Sequence, residues 1–199
     1  MAGQRYPSEF DWRYMTISTL VFPDRNPAGH VWASAGIVLC GLCGLCWAAV
    51  VRSSGIPALR LGFFCMAFCA VLPERLLPVP KGHEILALVA FFALCFGIVQ
   101  RTFGVLAQQF LRRTRSSPGA ARLYASLLAG AALSPIVLAG VAQAYVSHAL
   151  PALPWVSLAW RALRVPPYLS FAFWEWVTCG VFSAYIAVLA VSDARTGWS

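Results

Sequence analysis

The feature that most constrains this chain is the nearly unbroken apolar run from Leu169 to Val191, which contains one carboxylate, Glu175. The run is about 23 residues long, and a helix of that length crosses the roughly 30 Å hydrocarbon core of a bilayer. A helix in a soluble core rarely runs so far without a polar face. We therefore predict a transmembrane helix. Because an ionisable group inside such a helix is costly, Glu175 indicates a functional site.

The composition of the whole chain agrees with a membrane location. Hydrophobic residues make up 60% of the sequence and charged residues 11%, whereas soluble domains carry roughly 25% charged residues. The net charge of +8 comes almost entirely from arginines, which stand at the ends of apolar runs. This placement indicates membrane topology and contact with lipid, and it argues against binding of nucleic acid.

The apolar runs predict an all-α integral membrane protein, a bundle of about five transmembrane helices plus an interfacial helix. The predicted spans are about 30–51, 56–72, 83–100, 123–145 and 169–191. The interfacial helix is expected between Ala149 and Tyr168, where tryptophans and arginines alternate with prolines. Residues 30–193 form the transmembrane domain, 1–29 an extracytoplasmic segment and 194–199 a cytoplasmic tail. Within the N-terminal segment, Phe10 to Phe22 is too short and polar to cross, so we expect it on the membrane surface.

The orientation follows from the distribution of arginines. Five spans place the two termini on opposite sides of the membrane. The densest arginine cluster, Arg112 to Arg122, lies between the third and fourth spans and within reach of two span ends. Since cytoplasmic loops are enriched in arginine and lysine, we predict an extracytoplasmic N-terminus and a cytoplasmic C-terminus, in a bacterial inner membrane.

This orientation gathers ionisable side chains at the outer ends of the spans. These are Asp24 and His30 at the first span, His83 and Glu84 at the third, and His148 after the fourth. Glu175 would lie roughly 9 Å below the start of the last span. Histidines and carboxylates that converge at one depth would bind a divalent metal, form a proton-transfer pair or hold a lipid headgroup.

The candidate site residues fall into two groups. The candidate catalytic residues are Glu175, His83 and Glu84, and the candidate lipid- or cofactor-binding residues are His30, His148, Asp24, Trp174 and Trp176. No metal ligand set is assigned, because the residues show no fixed ligand spacing. The structural alternative is that polar residues simply collect at span ends, and that Glu175 hydrogen-bonds a neighbouring helix near the carbonyl freed by Pro135.

A second motif is the run CGLCGLC, from Cys40 to Cys46. Its C-x-x-C spacing is typical of thiol redox chemistry or a metal site. These cysteines alternate with Gly36, Gly41 and Gly44 inside a predicted span, where small residues let a neighbouring helix approach closely. We therefore interpret them, and Cys65 and Cys69 of the second span, as packing residues.

Three segments resemble a known family. TISTLVFPDRNPAGHVWASAGIVL resembles its extracytoplasmic Ile-Ser-Asp segment, KGHEILALVAFFALCFGIVQ its span opening with His, and WEWVTCGVFSAYIAVLAV its closing span. Together they are similar to the DRAM/Frag superfamily of autophagy modulators, GPI-lipid remodelling factors and their bacterial relatives. The resemblance implies a six-helix membrane protein associated with lipid handling. Its polar positions would be Ser18 or Asp24, His83, Glu84 and Glu175, while Thr19 stands where the family has Asp.

Two functions stay open on the sequence. The first is a lipid-interacting protein, with lipid modification as one form of it, that has a polar pocket on the extracytoplasmic side. The second is a non-catalytic accessory subunit of a photosynthetic or respiratory complex, in which a histidine would ligate a tetrapyrrole. The expected partners are membrane lipids and other membrane-protein subunits, and the candidate cofactors are a bound lipid, a tetrapyrrole or a divalent metal. A carrier or channel is disfavoured, because no two spans look symmetric and charges are few.

Overall fold

The described part of the chain is helical throughout its regular elements. A computed structural model describes residues 3–5, 10–51, 56–71, 82–114, 117–150, 161 and 163–195, without the side chains of residues 5, 113 and 192–195. The helices are α1 (Ile17–Val21), α2 (His30–Val50), α3 (Ile56–Val71), α4 (Gly82–Arg101), α5 (Ala107–Thr114), α6 (Pro118–Ala149) and α7 (Phe171–Arg195). A π-helical turn, Thr102–Leu106, joins α4 to α5, and 3-10 turns cover Gly3–Arg5 and Pro167–Leu169.

Four helical stretches are long and apolar enough to cross a membrane. They are His30–Val50, Gly82–Arg112, Pro118–Ala149 and Phe171–Val191, while Ile56–Val71 is a shorter apolar helix. Large apolar side chains on these helices, such as Leu39, Phe92 and Leu127, are more than half exposed. Exposed apolar surface on this scale suits contact with lipid tails better than contact with water. The predicted all-α fold is confirmed for the described residues, and the four helices suggest a multi-pass membrane protein.

The helix bounds follow the predicted spans closely except at α6. This helix begins at Pro118, ahead of the predicted start near 123, because proline suits the first turn of a helix. It continues past Pro135 and ends at Ala149. The predicted interfacial helix between Ala149 and Tyr168 lies mostly outside the described residues. In the part that is described, Arg164 has a left-handed φ of 52°.

The chain divides into two compact units. The first comprises Met1–Ala33 with Ala132–Tyr185, and the second Ser34–Ala131 with Ile186–Ser199. In the second unit the glycines of α3 and α4 face leucines of the opposite helix, with Gly62 on Leu94 and Gly97 on Leu59. The two pairs run in opposite sequence order, so α3 and α4 are antiparallel.

Glycines also bring α2 against α3 in the second unit. A Cβ added to Gly41 would lie 2.7 Å from Ala67 Cβ and 2.9 Å from the carbonyl oxygen of Phe63. The predicted close approach is therefore present at Gly41 and Gly44 but not at Gly36, which has no neighbour within 4 Å of its Cβ position. Cys40, Cys43 and Cys46 are exposed, so they do not pack within the described chain as we interpreted them from the sequence.

Gly41→Ala is expected to destabilise the protein by about 1–3 kcal/mol, because the new methyl group overpacks a contact that includes rigid backbone. Gly36→Ala is the matched control on the same helix, since nothing lies within 4 Å of the position of its Cβ. The control should be neutral or slightly stabilising. Thermal unfolding in detergent, followed by circular dichroism, measures both. Equal unfolding temperatures for the two variants would contradict the close helix contact.

Two arginines from neighbouring helices contact the last turns of α2 in the second unit. Arg60 belongs to α3 and Arg101 to α4. Arg60 donates hydrogen bonds from Nε and Nη2 to the carbonyl of Ala48, at 2.9 and 2.7 Å. This satisfies a carbonyl in the last turn of α2, which has no partner within its own helix. Arg101 is 1% exposed, and its guanidinium lies 6.0 Å from the centroid of the Trp47 ring. Arg60 therefore links α3 to the end of α2, and Arg101 of α4 places its buried guanidinium group beside Trp47 of α2.

Candidate functional site

The N-terminal segment, residues 10–26, is part of the core of the first unit. Its buried residues include Asp11, Tyr14, Met15, Thr16, Thr19, Leu20 and Asn26. The sequence predicted that Phe10 to Phe22 lies on the membrane surface, because it is too short and polar to cross, and that location stays a prediction. The sequence did not predict that the segment packs against the start of α7, the end of α6 and the residues just before α7.

Glu175 contacts this segment directly. It lies in the second turn of α7, and its Oε2 accepts a hydrogen bond of 3.0 Å from the backbone N–H of Ile17. Ile17 is the first residue of α1, where backbone N–H groups lack partners within the helix. The preceding residue, Thr16, makes no side-chain capping hydrogen bond. The Glu175 carboxylate therefore caps α1 from another helix, in a position where the helix dipole favours negative charge.

Aromatic residues beside Glu175 hold neighbouring parts of the segment. Trp176 donates a hydrogen bond from Nε1 to the carbonyl of Met15 at 2.9 Å. One turn earlier on α7, the Phe173 ring stacks on Trp12 with centroids 5.7 Å apart. The first two turns of α7 thus fix the segment through a carboxylate, an indole N–H and a ring stack.

Tyr14 binds the N-terminal segment to the residues just before α7. Its hydroxyl donates a 2.7 Å hydrogen bond to the carbonyl of Val165, which lies 151 positions away in the sequence. The rings and methyl groups of Tyr14, Val146 and Val165 form a buried cluster, with Leu169 packed against it. The segment is therefore held by α6 as well as by α7.

Asp11 is buried at the start of the segment and forms an ion pair with half-exposed arginines. Arg13 donates from Nε to Oδ1 and from Nη2 to Oδ2 of Asp11, both at 2.8 Å. Arg161 Nε lies 3.8 Å from the same Oδ2. The hydrogen bonds from Arg13 lower the pKa of Asp11 below its ordinary value, and they outweigh the effect of burial, which raises it.

The lowered pKa of Asp11 predicts a pH dependence. A depressed folded-state pKa stabilises the protein above the unfolded pKa of about 3.9, and this stabilisation is lost as pH falls through the folded pKa. Asp11→Asn should therefore be less stable than the parent at neutral pH. The difference between their unfolding temperatures should shrink below about pH 4. Asp24→Asn, at an exposed aspartate of the same segment, is the control. A difference that does not change with pH would contradict the ion pair.

The other predicted site residues are placed as follows. Trp174 donates from Nε1 to the carbonyl of Tyr168 at 2.7 Å, and His30 Nδ1 lies 3.1 Å from the carbonyl of Asn26. Asp24, Glu84 and His148 are exposed, and His83 is buried. Asp24, His30, His148 and Glu175 belong to the first unit, and His83 and Glu84 to the second. The convergence of all these residues stays a prediction.

His83 contacts a residue that we had interpreted as packing only. The Sγ atom of Cys69, on α3, lies 3.3 Å from Nδ1 of His83, near the start of α4. The two residues stand at neighbouring ends of consecutive helices in the sequence, which places their helices close together but does not determine which side chains meet. Across the described residues, no group of three or more His, Cys, Asp and Glu side chains could hold a metal ion.

Comparison with known proteins finds no matching family model, no similar curated protein and no similar solved structure. The resemblance to the DRAM/Frag superfamily therefore stays a prediction.

Proposed function

We propose that this chain is a five-span membrane protein that interacts with lipid headgroups at its extracytoplasmic face, through the part of the first unit that holds the N-terminal segment. The observation that carries this proposal is the set of aromatic residues around the segment. Trp12 is 46% exposed and Tyr168 58% exposed, and Trp174 bonds to the backbone of Tyr168. Tryptophan and tyrosine concentrate where lipid headgroups meet the hydrocarbon core.

The fifth span is α3. Its 16 residues rise about 24 Å along the helix axis, somewhat less than a full hydrocarbon core. It lies antiparallel to α4, which is long enough to cross, and the glycine contacts bring the two helices close together. A helix packed in this way against a spanning neighbour would cross with it. Five spans then place the N-terminal segment outside and the arginine cluster after α4 in the cytoplasm.

Within this proposal Glu175 is a positioning residue. Its carboxylate accepts a hydrogen bond from the backbone of the N-terminal segment, which is the arrangement expected of an anchor. The segment in turn carries Trp12 and Arg13, whose side chains are exposed. Anchoring the segment therefore holds an aromatic ring and a guanidinium group at the depth of the headgroups.

Purification in mild detergent tests the proposal. We expect a colourless protein that retains lipid, detected by native mass spectrometry. Glu175→Gln weakens the anchor and should reduce the lipid retained. A coloured complex with stoichiometric partner subunits, and no bound lipid, would contradict the proposal. So would a Glu175→Gln protein that retains lipid as the parent does.

The second candidate function is that of an accessory subunit, and glycines with no close neighbour favour it. Gly36, Gly130, Gly140 and Gly180 all lie on long apolar helices, and nothing lies within 4 Å of the position of a Cβ on any of them. Small residues on a membrane helix allow another helix to approach closely. These positions would therefore pack against partner subunits. Copurification of such subunits in fixed ratio is the result that would select this function.

A further inference from the structure

We propose that Arg13 and Arg161 bind the phosphate group of a membrane lipid, with Asp11 beneath them as the residue that positions both guanidinium groups. The inference deepens the proposed function and rests on it, because it requires the N-terminal segment to lie at headgroup depth. It names the chemical class of the ligand, an anionic phospholipid, and the side chains that would recognise it.

The ion pair supplies the geometry. The Asp11 side chain is 7% exposed, while those of Arg13 and Arg161 are 50% and 46% exposed. One buried carboxylate therefore contacts two half-exposed guanidinium groups from parts of the chain 148 positions apart (161 − 13). Both guanidinium groups therefore keep part of their surface accessible to a ligand.

Two guanidinium groups that contact the same carboxylate oxygen suit a phosphate group. A guanidinium is planar, stays charged and presents N–H donors in a fork that matches phosphate oxygens. The bidentate bond to Asp11 already orients Arg13, and its guanidinium lies 5.9 Å from the centroid of the Tyr14 ring. Binding then requires less ordering of the side chain than a free surface arginine would need.

The surroundings favour a lipid over a soluble phosphate. Trp12 lies between Asp11 and Arg13 in the sequence and stacks on Phe173, at the start of an apolar helix. The cluster is therefore tied directly to a ring at the end of a predicted span. A phosphate bound there would have acyl chains that extend along the exposed apolar surface of the helices, whereas inorganic phosphate would gain no such contact.

Native mass spectrometry of the full chain in detergent tests the inference. The probes are dioctanoyl phosphatidylglycerol and dioctanoylglycerol, which has the same chains without the phosphate. We expect the phospholipid to bind about tenfold or more tightly than dioctanoylglycerol, since hydrogen bonds to charged groups are strong. Arg161→Gln and Arg13→Gln should each weaken phospholipid binding about tenfold. Arg122→Gln, at an exposed arginine of the second unit, is the matched control and should bind as the parent does.

Arg161→Gln is the decisive variant, because it leaves the bidentate bond between Arg13 and Asp11 intact. Unchanged phospholipid affinity in this variant would overturn the inference. If the parent still retains lipid on purification, the proposed function survives that result. If inorganic phosphate displaces the phospholipid at equal concentration, the site recognises free phosphate and the assignment to lipid is wrong.

Discussion

Trp176→Ala is expected to lower the free energy of unfolding by about 3 kcal/mol, through loss of a large ring and of a hydrogen bond. The indole donates to the carbonyl of Met15, which lies in a buried part of the N-terminal segment. It also packs edge-on against Phe10, with centroids 6.2 Å apart. Thermal unfolding of the purified protein should show a fall in midpoint of several degrees.

Trp176→Phe separates the contribution of the aromatic ring from that of the hydrogen bond. Phenylalanine keeps an aromatic ring in contact with Phe10 but cannot donate to Met15. We expect a loss of about 1 kcal/mol, the usual size for one hydrogen bond. If Trp176→Ala were as stable as the parent, the N-terminal segment would not be packed on α7.

Glu175→Ala is expected to expose the N-terminal segment to protease. Removal of the carboxylate leaves the Ile17 N–H without its acceptor, at a cost of about 1.5–3 kcal/mol for a hydrogen bond to a charged group. The open form of the segment should then be populated about tenfold more, or higher. Cleavage tracks the population of the open form when opening is fast. Trypsin should therefore cut after Arg13 about tenfold faster, measured as the fragment that begins at Tyr14.

Two further variants control this experiment. Glu84→Ala removes an exposed glutamate from the first turn of α4, in the other unit, and should leave cleavage after Arg13 unchanged. Glu175→Gln keeps an acceptor oxygen but loses the charge, so its cleavage rate should fall between those of the parent and Glu175→Ala. Equal rates in all four proteins would show that Glu175 does not hold the segment.

The sequence predicts the helices well, because a helix suited to span a membrane has a simple pattern in the sequence. A span must be long and apolar, and α2 and α4 fall within one or two residues of their predicted bounds. The same rule singled out Glu175, since a carboxylate is costly inside a span. The small residues of α2 also predicted close helix contacts, and these form against α3 at Gly41 and Gly44 but not at Gly36.

The partner of Glu175 could not be predicted from the sequence. Ile17 lies 158 positions away, and no periodic pattern indicates that the N-terminal segment folds back onto the last helix. Residue type does not indicate which group will accept a hydrogen bond from a backbone N–H, because every residue except proline carries that donor. Asp11 was missed for a related reason, since a short segment with mixed charges looks exposed until its partners are known.

The contact between Cys69 and His83, in the second unit, is another contact that could not be predicted from the sequence. Each residue had been interpreted from its own helix, as a packing thiol and as a histidine that opens a span. Only the antiparallel packing of α3 and α4 brings the Sγ atom within 3.3 Å of Nδ1. Contacts between helices depend on their rotation about the helix axis, which apolar length does not determine.

Hydrogen exchange of the Ile17 amide, in the full chain reconstituted in lipid nanodiscs, tests most directly whether Glu175 anchors the N-terminal segment. The bond between this amide and Glu175 predicts slow exchange in the parent protein. Exchange should become about tenfold faster, or more, in Glu175→Ala. An Ile17 amide that exchanges in the parent as fast as in an unstructured peptide would contradict the account.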